Sequence, residues 1–355
     1  MKTLKDRQMD ILADYVRGLY RKPELRQLFL ELTLQCNEHC FHCGSNCMPH
    51  AGEELSLSEY RRILDEVKED FDLHCLFLCI TGGEPLLRPD FFDILGYANK
   101  LGYHWGMTTN ATLITKDVAH KLAECGMKTV SVSVDGLPDT HDRLRGLPGG
   151  YAAAMQGIRN LIDEHAFQNV QVTTVINHEN ITELDALFRI MDGLDIDSWR
   201  VINLEPIGRA LQWPSRMLTV EDYKTLFAFI REKRRAGYPV EYGCSHYLGP
   251  EYEGELRGWY WLCNAGIYTA SIMANGDIGA CLDIERRPET IQGNIRNSRF
   301  RDIWEDRFEL FRKDLSETSE FCRDCPHANR CRGDAHHSWD YDSSKPMLCF
   351  KDILF

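Results

Sequence analysis

Three cysteines stand within eight residues of one another directly after an apolar run, and they constrain this chain more than any other feature. Cys36, Cys40 and Cys43 have the spacing C-x3-C-x2-C, and the run 28–34 before them predicts a buried strand. Thiolates held this close repel one another unless a cation binds them, so the spacing predicts a metal centre. Three thiolates leave one coordination position open, whereas four close it. Cys47 follows the group, and a zinc site completed by its thiolate is the alternative.

Downstream, apolar strand-like runs alternate with helical patterns, which predicts a parallel α/β sheet with helices on its outside. Strands are predicted at 28–34, 76–81, 103–110, 129–136, 170–177 and 198–204. Helices are predicted near 56–67, 90–101, 116–125, 151–165, 181–192 and 220–235. The carboxyl ends of parallel strands meet at one rim, so polar residues there predict a ligand site. The polar residues at the strand ends are Thr109, Asn110, Ser133, Asp135, Asn177 and Glu205.

Length and composition exclude several classes of protein. The 355 residues suffice for one large and one small domain, and the net charge of −13 argues against nucleic-acid binding, which needs a basic face. The first residues have no apolar signal-peptide core, and no apolar run approaches the roughly 20 residues that span a bilayer. Fourteen cysteines without an export signal favour metal binding over disulfides. We therefore expect a cytoplasmic metalloprotein that binds neither nucleic acid nor membrane.

A second motif, Gly82-Gly83-Glu84-Pro85, follows the second predicted strand, and Phe41-His42 precede the last cysteine of the first motif. With the C-x3-C-x2-C spacing, these residues resemble the radical S-adenosylmethionine (SAM) superfamily. The resemblance implies a partial (β/α)6 barrel rather than a closed eight-fold one. It also implies that Cys36, Cys40 and Cys43 hold a [4Fe–4S] cluster whose fourth iron is chelated by SAM.

The same resemblance assigns contacts to SAM. It places the amino group of SAM on Gly82-Gly83-Glu84-Pro85 and the ribose on Ser133 and Asp135. Arg145 is expected to pair with the SAM carboxylate, because a planar guanidinium fits a carboxylate. The segment 204–209, which contains Glu205, is expected to back the adenine. Two further polar strand ends are assigned to this cofactor site: Asn110 and Asn177.

Cysteines in the last third of the chain resemble the SPASM extension of the superfamily. Four of them occupy the positions of an auxiliary iron–sulfur cluster: Cys322, Cys325, Cys331 and Cys349. Four thiolates leave no open iron, which suits electron transfer, and a structural zinc ion is the alternative. The composition changes after Pro239. We therefore predict a helical segment over 1–27 that covers one end of the barrel, the barrel over 28–239, and a small cysteine-rich domain over 240–355.

The first C-terminal cysteine group departs from the SPASM pattern. It contains Cys263 and Cys281, with a hairpin turn predicted at 275–277, and Ala335 stands where a further cysteine is usual. These two thiolates can hold a second auxiliary cluster with one more ligand, or they mark a lost cluster, and both interpretations remain open. The candidates for that ligand are four side chains: Cys244, Asp334, His336 and His337.

The resemblance implies that a radical generated from SAM takes a hydrogen atom from a substrate C–H bond. The leading hypothesis is oxidation, cross-linking or epimerisation of a ribosomally made peptide or protein, with a reductant such as flavodoxin or ferredoxin. A radical dehydrogenase or epimerase of a small molecule such as a sugar is the second. A non-catalytic iron–sulfur or zinc-binding module is the third, and the SAM-type motifs argue against it. An epimerase needs a thiol that returns a hydrogen atom. The candidates are Cys47, Cys125 and Cys244, and Cys244 is preferred because it lies close to the predicted domain boundary.

Overall fold

A computed structural model of the chain describes residues 3–50 and 52–354, apart from the side chain of residue 352. The strands are β1 (Gln27–Thr33), β2 (Phe77–Gly82), β3 (His104–Thr109), β4 (Met127–Ser133), β5 (Asn169–Ile176), β6 (Ser198–Asn203), β7 (Val240–Tyr242), β8 (Thr269–Ile272), β9 (Asp277–Gly279), β10 (Gly293–Asn294), β11 (Trp339–Asp340) and β12 (Lys345–Pro346). The helices are α1 (Leu4–Arg21), α2 (Leu57–Asp70), α3 (Phe91–Leu101), α4 (Lys116–Glu124), α5 (Pro138–Arg145), α6 (Gly150–Glu164), α7 (Leu184–Asp192), α8 (Val220–Arg235), α9 (Gly249–Tyr252), α10 (Phe300–Asp306), α11 (Ala328–Cys331) and α12 (Lys351–Leu354).

One large sheet forms the barrel wall, with the strand order β10-β9-β8-β1-β2-β3-β4-β5-β6-β7. Strands β1 to β7 pair in parallel with their neighbours, and β8 also pairs in parallel with β1. The α/β partial barrel is confirmed, and each predicted strand of the barrel is present. Four short strands extend this sheet beyond the predicted six, with β7 at one edge and β8, β9 and β10 at the other.

The apolar periodicity of the sequence explains how strands and helices pack. On β1, Leu28, Leu30 and Leu32 are buried against the helices, while Phe29 between them faces the barrel interior. On α2, Ser56 caps the first turn by accepting a hydrogen bond from the Glu59 N–H. The buried residues of α2 recur at helical spacing and face the sheet: Tyr60, Ile63, Leu64 and Val67.

The N-terminal helix packs against the C-terminal part of the chain, which differs from its predicted place at one end of the barrel. Met9 lies in an apolar cluster with Tyr247 and Trp261. Arg330 donates hydrogen bonds of 2.8 Å to the carboxylates of Asp6 and Asp10. Apolar and ionic contacts with residues beyond 240 therefore hold α1 in place. Residues 1 and 2 of the predicted segment 1–27 lie outside the described residues.

The C-terminal part of the chain contributes to both sides of the barrel wall. β7 pairs with β6 through Trp199 and Val240, and β8 pairs with β1 through Gln27 and Thr269. The predicted hairpin turn at 275–277 joins β8 to β9. The sheet thus continues across residue 240, and the division into domains at that point stays a prediction. Among the described residues, no helix combines the length and apolarity needed to cross a membrane.

Candidate active site

Backbone hydrogen bonds from several elements hold the cysteine loop that follows β1. The Cys36 N–H donates to the carbonyl of Met48 at 2.8 Å, and the His39 N–H donates to the carbonyl of Arg145 at 2.9 Å. The Arg209 guanidinium donates to the carbonyl of Cys40 at 2.8 Å. Because each contact comes from a different part of the fold, the thiols are presented from a loop whose shape is already set.

The thiols of this loop lie in contrasting environments. Burial raises the pKa of Cys36 to about 11 and that of Cys40 well above its usual value. A side-chain hydrogen bond from Cys47 lowers the pKa of Cys43 to about 5. The Cys47 thiol also lies 3.5 Å from the Gly82 carbonyl oxygen, to which it donates. Cys47 is therefore placed between the cysteine loop and the glycine motif.

The glycine motif continues the pairing of β2 with the end of β1. The Gly83 N–H donates to the carbonyl of Thr33 at 2.7 Å, and the Glu84 N–H donates to the carbonyl of Gln35 at 2.9 Å. A Cβ atom on Gly83 would lie 1.9 Å from the Gln35 carbonyl oxygen. The close approach of the Gln35 backbone, just after β1, therefore explains the glycine at position 83 without a ligand. Both N–H groups are used, so this motif can offer a ligand its carbonyl oxygens.

Replacing Gly83 by alanine is expected to displace the glycine motif, because the new Cβ has no space beside Gln35. We expect Gly83→Ala to lower the melting temperature and to weaken SAM binding at least roughly tenfold, measured by equilibrium dialysis with labelled SAM. Gly18→Ala is the control, since a Cβ on this residue of α1 meets nothing within 4 Å. An alanine there should stabilise the helix by about 0.5–1 kcal/mol. Unchanged SAM affinity in Gly83→Ala would contradict the prediction.

Glu84 and Asn110 tie the strand ends to the cysteine loop. Glu84 is fully buried and accepts hydrogen bonds of 2.9 Å from the Thr109 hydroxyl and the Asn110 N–H. Burial raises the pKa of Glu84 to about 7. The Asn110 side-chain amide donates to Asn37, inside the cysteine loop, at 2.8 Å. These two predicted site residues therefore position the loop, and any direct contact with SAM stays a prediction.

Arg145 ends α5 and lies between two buried carboxylates. Its guanidinium donates to Glu38 at 2.7 Å and to Asp135 at 2.8 Å, and it lies 3.8 Å from the sulfur of Cys40. Burial alone would raise the pKa of Asp135, but the positive charges of Arg145 and His42 hold this pKa well below its usual range. The expected contacts of Arg145 with the SAM carboxylate and of Asp135 with the ribose would be made beside these ion pairs or in their place, and both stay predictions.

Several polar atoms around the cysteine loop and strand ends are buried without a hydrogen-bond partner among the described residues. They are Oε1 of Glu38, Nδ1 of His42, Nε2 of His141 and Nδ2 of Asn177. An unpartnered buried polar group costs about 1–3 kcal/mol, so a polar ligand that reached these atoms would be favoured. Ser133 lies half-buried at the end of β4. The available polar groups and the three thiols fit an iron–sulfur cluster with SAM.

The carboxylate of Glu205 contacts two histidines of the C-terminal part of the chain, and its expected place behind the adenine stays a prediction. Its carboxylate is 2.8 Å from Nε2 of His246 and 3.7 Å from Nε2 of His337. The rest of its segment does reach the cysteine loop, because the Arg209 N–H donates to the Cys43 carbonyl at 3.1 Å. The side chain of Glu205 thus reaches the C-terminal part of the chain, while Arg209 of the same segment reaches the cysteine loop.

The structure brings the four cysteines of the predicted auxiliary centre together. The pKa of Cys331 is raised well above its usual value by burial and by the negative charges of Asp334 and of the other three thiolates, which are Cys349, Cys322 and Cys325. Burial also raises the pKa of Cys349 to about 11. The four thiolates repel one another, and a bound cation would remove this repulsion.

Comparison with known proteins identifies the family. Residues 30–191 match the radical SAM superfamily, and residues 263–326 match the iron–sulfur cluster-binding domain SPASM. The mycofactocin maturase MftC of Mycolicibacterium smegmatis is 31% identical over 312 residues, which cover 85% of this chain and 76% of that protein. The chain belongs to the radical SAM superfamily. A [4Fe–4S] cluster, SAM and an auxiliary iron–sulfur cluster are accordingly its cofactors.

Other radical SAM relatives carry different names. The AdoMet-dependent heme synthase of Methanosarcina barkeri is 29% identical over 349 residues, which cover 92% of this chain and 97% of that protein. The crystal structure of Streptococcus suis SuiB bound to S-adenosylmethionine matches with a TM-score of 0.71 at 20% identity, over 87% of this chain and 72% of that chain. At this identity the SuiB match confirms the radical SAM fold alone.

A cavity of about 610 Å³ fills the interior of this radical SAM barrel, and we call it the barrel cavity. Strands β1 to β8 line it, together with residues that follow β7 and with the first C-terminal cysteine group, Cys263 and Cys281. The charged residues of its wall are Arg200, Glu241 and Asp283, and His337 also lies there. The two cysteines whose role was left open are therefore placed at a prospective substrate site.

Cys244, the hydrogen donor proposed from the sequence, is not among the cysteines that line the barrel cavity, which are Cys79, Cys263 and Cys281. Gly243 and Ser245 line the cavity, so Cys244 between them points outward into the core, where its thiol lies 3.9 Å from the Asn203 carbonyl oxygen. This geometry argues against Cys244 as hydrogen donor or cluster ligand. Cys79 of β2, interpreted from the sequence as a packing residue, lines the cavity, and burial raises its pKa to about 12.

Proposed function

We propose that this radical SAM enzyme takes a hydrogen atom from a residue of a ribosomally made peptide or protein and leaves that residue oxidised, cross-linked or epimerised. The likeness to the maturase MftC supports this assignment. When bound, the cluster and SAM supply the radical that abstracts the hydrogen atom. The barrel cavity is the place where the reacting residue would be held away from water.

The residues of the chain have distinct tasks in this proposal. Cys36, Cys40 and Cys43 would hold the cluster by three of its irons and leave the fourth for SAM. Arg145 would keep the loop in position through its ion pairs below the thiols. A reductant such as flavodoxin or ferredoxin would supply the electron that cleaves SAM. Cys322, Cys325, Cys331 and Cys349 would hold the SPASM cluster, to which the substrate radical would lose its electron in an oxidation.

The charge of the barrel cavity is the observation that carries the choice of substrate class. Its wall contains one arginine, Arg200, against two carboxylates, Glu241 and Asp283. Tetrapyrroles, the class named for the heme synthase relatives, carry several carboxylates of their own and would be repelled by this wall. A neutral or cationic peptide segment avoids that repulsion, so the charge favours a peptide over a tetrapyrrole.

A small molecule such as a sugar is the second candidate, because the cavity volume suits it. Sites for small molecules usually measure about 300–1,000 Å³, a range that includes the 610 Å³ of the barrel cavity. Hydroxyl groups on the wall would pair with sugar hydroxyls, and they belong to Thr81, Thr108, Thr129 and Ser131. A peptide requires in addition an entrance wide enough for its flanking residues.

The two classes can be separated by measuring 5′-deoxyadenosine together with the mass of each candidate substrate. The anaerobically reconstituted enzyme is given SAM, a reductant and, in parallel, a random peptide pool, a set of monosaccharides and iron coproporphyrin III. The proposal expects only the peptide pool to raise deoxyadenosine formation, with peptides that lose about two mass units or gain deuterium from D2O. Turnover of the porphyrin or a sugar without any peptide product would overturn it.

Filling the barrel cavity is expected to separate substrate turnover from SAM cleavage. Ser131 lies on the cavity wall, 2.7 Å from the Thr173 hydroxyl, so Ser131→Leu would place an apolar side chain in the cavity. We expect the substrate-stimulated rate to fall at least roughly tenfold while deoxyadenosine formation without substrate persists. The exposed Ser298→Leu should change neither rate. Equal loss of both rates in Ser131→Leu would contradict a substrate site there.

A further inference from the structure

We propose that Glu205, His246 and His337 form a binding site for one divalent first-row transition-metal ion, separate from the iron–sulfur centres. Each of the three side chains offers one ligand atom, and these atoms all lie within 4.8 Å of one another. Two imidazoles and one carboxylate are a ligand set that suits zinc or ferrous iron. We call this group the His-Glu cluster.

The distances within the His-Glu cluster agree with shared coordination. Two ligands bound to one ion at about 2.0–2.2 Å lie about 3.4 Å apart in a tetrahedral site. Glu205 lies 2.8 Å from His246 through Oε1 and 3.7 Å from His337 through Oε2, on either side of that value. These two contacts use different oxygens of the carboxylate, so the carboxylate and the two rings would reorient to bind one ion.

Metal-binding histidines usually donate a hydrogen bond from the ring nitrogen that does not bind the metal, and His246 has such a partner in Asp334. Its Nδ1 lies 2.6 Å from Oδ2 of Asp334, which leaves Nε2 directed at Glu205. The other carboxylate oxygen of Asp334 accepts the Tyr247 N–H at 2.8 Å and is fixed by it. A carboxylate on Nδ1 places the proton there, orients the ring and makes Nε2 a better ligand.

A second observation points to a missing cation. Oε2 of Glu205 is buried and has no hydrogen-bond partner among the described residues. His246 is fully buried between two carboxylates, so the group carries excess negative charge unless a cation joins it. A divalent ion would compensate this charge and coordinate the unpartnered oxygen, whereas the alternative is a proton held permanently on His246.

The location of the His-Glu cluster gives the ion a structural and a chemical role. Glu205 follows β6, His246 follows β7, and His337 lies beyond the last cysteine of α11, so the ion would join the barrel to the C-terminal part of the chain. Since His337 also lines the barrel cavity, a coordination position left open by three protein ligands can face that cavity. An oxygen or nitrogen of a substrate is the group that such a position binds.

The test uses the reconstituted holoenzyme and zinc, because iron at this site would be hidden by the clusters. The protein is equilibrated with Zn2+, freed of excess metal by gel filtration, and analysed for zinc, iron and sulfide. We expect about one zinc ion per chain. X-ray absorption at the zinc edge should show nitrogen and oxygen neighbours at about 2.0–2.2 Å and no sulfur at about 2.3 Å.

Variants assign the zinc to these residues. His337→Ala and Glu205→Gln should lose the zinc while keeping their iron and sulfide, and the retained clusters show that the chain is folded. Asp334→Asn should weaken zinc affinity roughly 10- to 100-fold, as loss of an outer carboxylate does. His120→Ala is the matched control, because His120 is exposed and pairs with Glu164 on the surface.

Three results would overturn the proposal. They are the absence of bound zinc, zinc with sulfur neighbours, and zinc that is unchanged in His337→Ala and Glu205→Gln. The first would assign the group to a protonated His246 held between two carboxylates, and the second would assign the zinc to cysteines. The spectrum of the wild-type protein decides between nitrogen and sulfur ligands even if a variant fails to fold.

Discussion

Replacing Cys36, Cys40 and Cys43 together by alanine is expected to abolish the formation of 5′-deoxyadenosine. Reductive cleavage of SAM needs an iron with an open position, and these thiolates are predicted to hold that cluster. The variant should also lose about four irons per chain relative to the wild type. The measurement is chromatography of deoxyadenosine after anaerobic reduction, with iron and sulfide determined on the same sample.

Cys75→Ala is the control for this triple variant, because Cys75 is exposed and lies outside every predicted cluster. It should keep both the iron and the activity. The iron that remains in the triple variant reports the auxiliary centres, with about four irons for one cluster and about eight for two. A triple variant that still forms deoxyadenosine would disprove the assignment of these cysteines.

Replacing Arg145 by methionine is expected to cause a large loss of stability. The guanidinium lies between Glu38 and Asp135, whose side chains are 1% and 0% exposed. Removing one partner of a buried ion pair leaves the other charge uncompensated, which costs about 3–5 kcal/mol. We expect the melting temperature to fall by roughly 5–10 °C in anaerobic scanning fluorimetry. The cysteine loop should also bind its cluster less well.

Arg143 provides a matched comparison two positions away on the same helix. Its guanidinium is exposed and lies 3.2 Å from Glu179, and exposed pairs contribute at most about 1 kcal/mol. Arg143→Met should therefore melt close to the wild type. Equal melting temperatures for the two variants would show that Arg145 does not compensate the buried carboxylates.

The strands and helices of the barrel were predictable because their signals are local. Apolar runs for β1 to β6 and helical periodicity for α2, α3, α4, α6, α7 and α8 lie within single segments of the chain, and both were confirmed, whereas α5 was not predicted. β7 and β8 were missed, since they have three and four residues and are defined by their partners. The partner of Thr269 in β8 is Gln27, far away in the sequence.

The candidate site also contains some residues that a local sequence pattern identifies and some contacts that only the fold reveals. The spacing of Cys36, Cys40 and Cys43 is a local pattern, so these residues could be identified from the sequence alone. The ion pair between Arg145 and Glu38 joins residues 107 positions apart, and no pattern in the sequence indicates such a pair. Its energy depends on burial and on the fold around it, which periodicity does not report.

Cys244 shows which additional signal would have helped. Alternation along a strand puts neighbouring residues on opposite faces, and Gly243 and Ser245 face the barrel cavity. Had residues 240–242 been recognised as a strand, continuing its alternation to residue 244 would have predicted that Cys244 faces away from the cavity. The same reasoning applied to the longer strand β2 would have identified Cys79 as an inward-facing thiol.

The pairing of β8 with β1 also has a consequence for synthesis on the ribosome. β1 emerges early, but its partner on one side lies about 240 residues later, so that edge of the sheet stays without its partner during most of translation. An unpaired apolar strand edge is prone to pairing with other chains. A nascent or truncated chain that ends before residue 269 should therefore depend on chaperones, and the barrel can close only when the C-terminal part has been made.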